Sequence, residues 1–210
     1  MTKLTDYTSY ADAQAHANSA ALWELFDGDR EYFNIAHECM SRHADGSGRT
    51  AVRIAHADGA DEILSFDEIA ARSAQFAHWL VENGIRPGDR IAFMLEPSLP
   101  FYTSLFGAMM MGAISVPLFT LFGLDGLRLR VDDCTPSLLV TNDEKADTAL
   151  QVEGLRVVVA NDDMLEEISK YPTRFETQTK AGDMAVFQYT SGTTRELPAA
   201  VKHTHKSLVT

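Results

Sequence analysis

The sequence predicts an α/β fold, in which a layered and mostly parallel β-sheet carries helices on both faces. Short and nearly all-apolar segments recur along the chain, as in strands that are buried on both faces. Segments with the periodicity of helices lie between most of them. This alternation needs right-handed crossover connections, which place helices on both sides of the sheet.

The predicted strands and helices follow in a clear order. A hairpin covers 49–55 and 62–65, with Asp58 and Gly59 in its turn. Further strands are predicted at 90–95, 114–118, 137–141, 155–160, 184–189 and 200–203, with helices at 100–111, 124–133, 143–150 and 163–170. Ligands of such sheets bind beyond the carboxyl ends of the strands, so the segments that follow the strands are the candidates for a site.

The clearest helix begins after Ser65, which forms a capping box with Glu68. Apolar residues recur at helical spacing from Phe66 to Val81, and Gly84 is placed to end the helix. A single apolar stripe predicts that this helix covers one face of the sheet.

The chain divides into three predicted regions. Residues 1–32 are a helical lead-in with an amphipathic segment at 10–25, and residues 33–182 are an α/β subdomain in which Asn34 caps a short helix. Residues 183–210 form a strand, a turn, a second strand and the first turn of a helix after His205. Because that helical pattern is unfinished, we expect the chain to be the front part of a longer protein.

Composition excludes some classes of function. The net charge of −12 over 210 residues repels polyanions, and no basic stripe for nucleic acid is present. The longest apolar run, 105–119, is interrupted by glycine and proline, so it predicts a buried helix and strand, with no membrane span. No signal-peptide core is visible at the N-terminus. We expect a cytoplasmic protein; the oligomeric state is not predicted.

The sequence predicts no metal site. Cys39 and Cys134 are far apart and are interpreted as free thiols in a reducing compartment. His203 and His205 are two apart on a predicted strand, which would place both on one face, but no third ligand is near and a structural role is favoured. The acidic pairs Asp132–Asp133 and Glu166–Glu167 are interpreted as solvated helix faces.

The segment YTSGTTRELPAAVKHTH, residues 189–205, is the strongest candidate for a functional site. Its hydroxyl groups are rotatable donors, and a glycine lets backbone N–H groups approach an anion closely, so the turn suits a phosphate group. A Ser/Thr/Gly cluster is more often a plain surface turn. Two facts favour phosphate: the turn follows a predicted buried strand, and a small group of basic residues follows in an acidic protein. We expect the turn to be mobile without an anion.

The same segment resembles the phosphate-binding motif of the adenylate-forming enzymes, which include acyl-CoA synthetases, peptide-synthetase adenylation domains and luciferases. LSFDEIAARSAQFAHWLVENGIRPGDRIAFML, LFGAMMMGAISVPL and LRVDDCTPSLLVTND resemble the motifs that precede it in this family. FNIAHECMSRH is most similar to the acetyl- and medium-chain or aromatic acyl-CoA synthetase branch. The resemblance covers the chain from about Phe33 to its end.

The resemblance implies a two-step reaction that uses ATP, Mg²⁺ and coenzyme A. A small carboxylic acid attacks the α-phosphate of ATP to form an acyl-adenylate and pyrophosphate, and the acyl group then passes to a thiol. The resemblance assigns the phosphates to a loop formed by Thr190, Ser191, Gly192, Thr193 and Thr194. It places the catalytic lysine, the Mg²⁺ ligands and the ribose-binding aspartate beyond Thr210, so no catalytic residue is assigned here and the chain alone is expected to be inactive.

The chain departs from the family motif after Thr194. The family has Gly, a variable residue and Pro-Lys-Gly, whereas here Arg195, Glu196 and Leu197 precede Pro198, and two alanines follow. We hypothesise that Arg195 or Lys202 supplies the missing positive charge; the alternative is that both are solvated.

Three functions remain open from the sequence. The first is the N-terminal part of an acyl-CoA synthetase of fatty-acid metabolism. The second is a non-catalytic nucleotide-binding or assembly module, which the altered loop favours. The third is an acyl-AMP ligase that loads a carrier protein.

Overall fold

The computed structural model describes residues 2–56, 59–189 and 199–209. The helices within these ranges are α1 Tyr10–His16, α2 Ser19–Trp23, α3 Ile35–Cys39, α4 Phe66–Glu82, α5 Leu99–Met110, α6 Leu124–Cys134, α7 Asp143–Leu150 and α8 Asp162–Ile168. The strands are β1 Thr50–Ala55, β2 Asp61–Ser65, β3 Arg90–Met94, β4 Ile114–Pro117, β5 Leu138–Thr141, β6 Val157–Val159, β7 Met184–Tyr189 and β8 Ala200–Thr204. Short 3-10 helices cover Leu4–Asp6, Ser41–His43 and His205–Val209.

Six strands form one mixed sheet in the order β6-β5-β3-β4-β7-β8. All neighbours in it are parallel except β7 and β8, which are antiparallel. The predicted α/β class with a mostly parallel sheet is therefore confirmed. Strands β1 and β2 form the predicted separate hairpin. Asp58 of its turn lies outside the described residues, and Gly59 has a φ of +86°, which favours glycine.

Helices cover both faces of the sheet because successive strand residues point to opposite sides. Ile91 and Phe93 of β3 pack into one apolar cluster, whereas Ala92 and Met94 pack into another. We call the first side the α4–α5 face, since α3, α4, α5 and α8 contribute to its cluster. The second side, covered by α6 and α7, is the α6–α7 face.

Helix α4 begins and ends at the predicted residues, although the structure shows only one of the two hydrogen bonds of the predicted capping box. The Ser65 hydroxyl accepts a hydrogen bond from the Glu68 N–H at 3.1 Å. At the other end Gly84, with a φ of +82°, donates its N–H to the Val81 carbonyl at 3.1 Å. The helix packs closely on α5, where a Cβ on Gly107 would lie 2.7 Å from the Ser73 carbonyl oxygen.

The N-terminal region differs from its prediction as a single amphipathic segment at 10–25. The predicted segment is two helices, α1 and α2. The Asn18 side chain accepts hydrogen bonds from the N–H groups of Ala20 and Ala21 and so starts the second helix. The predicted cap of α3 is confirmed, since Asn34 accepts from the His37 N–H at 3.1 Å.

A buried carboxylate ties this region to the domain. Glu38 accepts hydrogen bonds from the N–H groups of Asp27, at 3.1 Å, and Gly28, at 2.7 Å, and pairs with Arg42 at 2.5 Å. Both oxygens of the buried carboxylate therefore have hydrogen-bond donors. In the described ranges no helix is long and apolar enough to span a bilayer.

Candidate nucleotide-phosphate site

The carboxyl ends of the parallel strands meet at one edge of the sheet, which we call the carboxyl edge. Strand β4 lies between β3 and β7, with Phe93 paired to Pro117 and Ser115 paired to Val186. Strand β7 ends at Tyr189, which pairs with Ala200 of β8. The chain therefore leaves the sheet at the carboxyl edge after Tyr189 and returns to it at Ala200, where ligands of such sheets bind.

The predicted loop residues Thr190, Ser191, Gly192, Thr193 and Thr194 lie outside the described residues. So does Arg195, and so does the segment for which mobility is predicted. Their phosphate contacts stay predictions, while the two strands on either side of them are described.

The end of β7 is held in place by a side chain of α6. Tyr189 is 2% exposed, and its hydroxyl donates to Oδ2 of Asp133 at 2.5 Å. Burial and then this hydrogen bond raise the pKa of the Tyr189 phenol, so it stays a neutral donor. Asp133 is exposed on α6, as predicted for a solvated helix face, and its carboxylate also anchors the strand that leads into the loop.

A guanidinium lies beside Tyr189. The Cζ atom of Arg130 is 3.6 Å from the ring centroid of Phe122 and 5.6 Å from that of Tyr189. Its Nη1 donates to the Gly126 carbonyl at 2.8 Å. Burial lowers the pKa of Arg130 from its ordinary value, but arginine remains protonated in proteins, so a cation stands at this corner.

Sequence reasoning missed Arg130, although a signal was present. Residues 127, 130, 131 and 134 have the spacing of one helix face, and Leu127 and Cys134 are buried members of it. A charged residue within a buried stripe is unusual unless it has a partner or a function.

Lys202, a predicted phosphate contact, lies on the same face of the sheet. It pairs with Phe187 in the β7–β8 ladder, and its Nζ is 5.0 Å from the Phe187 ring centroid. Phe187 and Tyr189 both pack into the cluster of the α6–α7 face. Lys202 is exposed, two residues along β8 from the carboxyl edge, and its role stays a prediction.

The two histidines do not share one strand face as predicted. His203 is exposed on β8, whereas His205 follows the strand in the last 3-10 helix and is 0% exposed. Nδ1 of His205 accepts the Ile35 N–H at 3.1 Å, and burial lowers its pKa to about 4. A neutral structural histidine results. Within the described ranges no group of three or more His, Cys, Asp or Glu residues is arranged to hold a metal.

An apolar cavity of about 360 Å³ opens beside the end of β7. Its apolar wall consists of Leu95, Pro97, Phe101, Pro117, Leu118, Phe119 and Leu121. Gln188 and the hydrogen-bonded pair Thr120–Glu96 are its polar members. At the carboxyl edge, an apolar cavity and the Arg130 guanidinium thus both lie close to the end of β7.

Two side chains of the type that binds phosphate lie on the face of the sheet where β7 ends. The cations of Arg130 and Lys202 lie on the face where β7 ends, and the buried Nε of Arg130 has no hydrogen-bond partner among the described residues. Such groups bind phosphate oxygens well.

The sheet is mostly parallel, and the Arg130 guanidinium lies beside the end of β7 at its carboxyl edge. These features define an α/β domain of the kind that binds ligands beyond its strand ends. More specifically, the chain belongs to the AMP-binding enzyme family, whose model matches residues 41–210.

Individual relatives agree with this assignment. The chain is 32% identical over 166 residues to the long-chain-fatty-acid–AMP ligase FadD32 of Mycobacterium marinum, covering 73% of this chain and 25% of that protein. It is 26% identical over 173 residues to the acetyl-coenzyme A synthetase of Halorhodospira halophila, covering 78% of this chain and 26% of that protein. The chain therefore spans about a quarter of the length of these relatives.

A solved structure matches the whole fold. The crystal structure of the Brucella canis acyl-CoA synthetase superposes with a TM-score of 0.83 at 27% identity, covering 97% of this chain and 39% of that one. The strand order and helical layers described above therefore occur in an acyl-CoA synthetase.

Proposed function

We propose that this chain is the N-terminal part of an AMP-forming acid–thiol ligase, an acyl-CoA synthetase. The whole enzyme would activate a small carboxylic acid with ATP, release pyrophosphate, and transfer the acyl group to coenzyme A. The observation that carries the proposal is the position of the Thr/Ser segment. In the sequence it follows directly on β7, and β7 ends at the carboxyl edge of the sheet in a chain of the AMP-binding enzyme family.

The proposed roles follow from charge and geometry. Thr190, Ser191, Gly192, Thr193 and Thr194 would donate hydrogen bonds to the phosphates that leave as pyrophosphate. Tyr189, held by Asp133, would fix the point at which this loop starts. Bound Mg²⁺ would neutralise phosphate charge as it develops.

Arg195 or Lys202 is proposed to supply the positive charge that the family's lysine supplies elsewhere. Lys202 lies on the α6–α7 face, on which Tyr189 also lies, which supports its part of this hypothesis. Each residue is replaced by alanine in the whole protein, and at least one of the two variants should have a raised KM for ATP. An unchanged ATP dependence in both variants would refute this role.

Pyrophosphate exchange tests the first step. The whole protein should exchange labelled pyrophosphate into ATP only when its acid is present, and Thr193→Ala should slow the exchange roughly 10- to 100-fold, as expected for one lost hydrogen bond to a charged group. Thr173→Ala is the matched control, because Thr173 is exposed and lies in the connection between α8 and β7, outside the Thr/Ser segment. No exchange with any acid of a broad panel, and no ATP binding by calorimetry, would contradict the proposal.

Two alternatives have specific support. An acyl-AMP ligase that loads a carrier protein is favoured by the similarity to FadD32, whose name describes an AMP ligase. A non-catalytic nucleotide-binding module is favoured by the altered residues 195–200. Thioester formation with free coenzyme A, with a carrier protein, or with neither separates the three.

The 210-residue chain alone is proposed to be inactive, because the residues that the family places downstream are absent from it. Acyl-adenylate formation by these residues alone would contradict this. The proposed location is the cytoplasm.

A further inference from the structure

Arg130 is a buried cation whose guanidinium N–H groups are not all hydrogen-bonded. The residue is 8% exposed, and its Nε is fully buried without a hydrogen-bond partner among the described residues. In residues 2–56, 59–189 and 199–209 it forms no ion pair with a carboxylate. The nearby carboxylate of Asp133 accepts the Tyr189 hydroxyl instead.

The contacts that Arg130 does make only partly offset its removal from water. One Nη1 hydrogen bond reaches the Gly126 carbonyl, and the rings of Phe122 and Tyr189 flank the guanidinium. A buried cation is unfavourable unless it is paired and fully hydrogen-bonded. Aromatic contacts stabilise it, but they provide no acceptor for the Nε–H.

The guanidinium lies at the carboxyl edge. Its hydrogen bond to Gly126 directs it toward the first turns of α6, and α6 follows the segment that leaves β4 at this edge. Tyr189, whose ring it approaches, is the last residue of β7 before the Thr/Ser loop. A donor without a partner therefore stands beside the point where the loop begins.

We propose that Arg130 binds a phosphate oxygen of the nucleotide, or of the pyrophosphate that leaves it, through guanidinium N–H groups that do not bond to Gly126. The proposal rests on the proposed adenylate-forming function and adds a residue of α6 to that site. The planar guanidinium donates two parallel hydrogen bonds to a phosphate, which Lys cannot reproduce. Phe122 and Tyr189 hold its plane before the ligand arrives, so little side-chain freedom is lost on binding.

Binding measurements on the whole protein test this role. Arg130→Gln removes the positive charge. Arg130→Lys keeps the charge but cannot donate two parallel hydrogen bonds. Arg128→Gln is the matched control. Arg128 lies two residues away on the same helix, but it is exposed and donates to the Gln151 carbonyl. By calorimetry, Arg130→Gln should weaken the binding of ATP and inorganic pyrophosphate roughly 10- to 100-fold. Arg130→Lys should recover part of the loss, and Arg128→Gln should match the wild type.

A second readout separates binding from a structural role. The affinity for the carboxylic acid should stay unchanged in Arg130→Gln, and the Nε–Hε NMR signal of Arg130 in the wild type should shift on titration with pyrophosphate. If the variant fails to fold, this signal alone decides the question. A signal that does not move, or equal nucleotide affinity in the wild type and Arg130→Gln, would overturn the proposal.

Two further outcomes are distinguishable. A wild-type protein that binds neither ATP nor pyrophosphate would refute the proposed function itself, and this inference with it. If Glu196 of the loop were the internal partner of Arg130, Glu196→Gln and Arg130→Gln would lower the melting temperature alike while both kept wild-type nucleotide affinity, which would refute the inference alone.

Discussion

The two faces of the sheet are made from alternating residues of the same strands, yet they bury different chemistry. Where α4 packs on α5 the large buried side chains are apolar, with Phe76, Trp79 and Leu80 of α4 among them. The buried polar groups between α4 and α5 are uncharged hydroxyls of Ser73, Thr103 and Ser104.

The α6–α7 face buries a charge and a polar pair next to its apolar residues. Arg130 lies between aromatic rings, and Tyr189 donates to Asp133. All three stand where β7 reaches the carboxyl edge. The apolar contact between α4 and α5 mainly stabilises the fold, whereas the polar groups at the end of β7 lie beside the candidate site.

The largest expected effect is on the apolar face. Phe76→Ala should lower the free energy of unfolding by about 3–5 kcal/mol, because a side chain that is 0% exposed leaves a cavity. Urea unfolding measures the change, and Tyr10→Ala, at a residue 81% exposed, should stay within about 0.5 kcal/mol of the wild type. A small effect of Phe76→Ala would break the distinction between the faces.

Acid should weaken the α4–α5 side through His205, whose Nδ1 accepts from Ile35 there. Burial lowers the pKa of His205 from 6.5 to about 4, so the unfolded chain binds a proton at a higher pH than the folded one. Stability from this group is present above pH 6.5 and is lost as the pH falls to about 4. The loss should reach roughly 3 kcal/mol.

Unfolding curves from pH 7 to 4 measure this effect. In His205→Asn the amide oxygen can still accept the Ile35 N–H, but the group does not titrate. The variant should therefore lack the part of the acid sensitivity that is due to His205. Identical pH profiles for the variant and the wild type would contradict the assignment.

A smaller change tests the close packing of α4 on α5. Gly107→Ala would place a Cβ 2.7 Å from the Ser73 carbonyl oxygen and 2.9 Å from Cδ1 of Phe76, and the backbone must move. We expect a loss of about 1–3 kcal/mol. Gly182→Ala is the control, because a Cβ there meets nothing within 4 Å. Equal unfolding midpoints for the two variants would show that the helices adjust freely.

The smallest stability effect belongs to the other face. Tyr189→Phe removes the hydrogen bond to Asp133, and the loss should be about 1 kcal/mol, since the exposed carboxylate regains water. The Tyr171 hydroxyl donates to Glu82 at the surface, so Tyr171→Phe should change the melting temperature less than Tyr189→Phe does. A loss from Tyr189→Phe as large as that from Phe76→Ala would make both faces structural.

Much of the fold is predictable from local pattern. The bounds of β7 match the prediction, and the caps at Ser65, Gly84 and Asn34 lie where the sequence places them. The prediction of one amphipathic segment at 10–25 is wrong because the Asn18 side chain caps a new helix there. The prediction that His203 and His205 share one strand face is wrong because the strand ends one residue before His205, which tertiary packing buries.

The sequence by itself determined the elements, the apolar stripes and the Thr/Ser segment after a buried strand, since periodicity, caps and motifs depend on residues near one another in the chain. Only the tertiary structure decided that Arg130 stands beside Tyr189 and that Asp133 accepts its hydroxyl. These partners are more than 50 residues apart, and no local pattern specifies which charge the folding of distant strands and helices will bury.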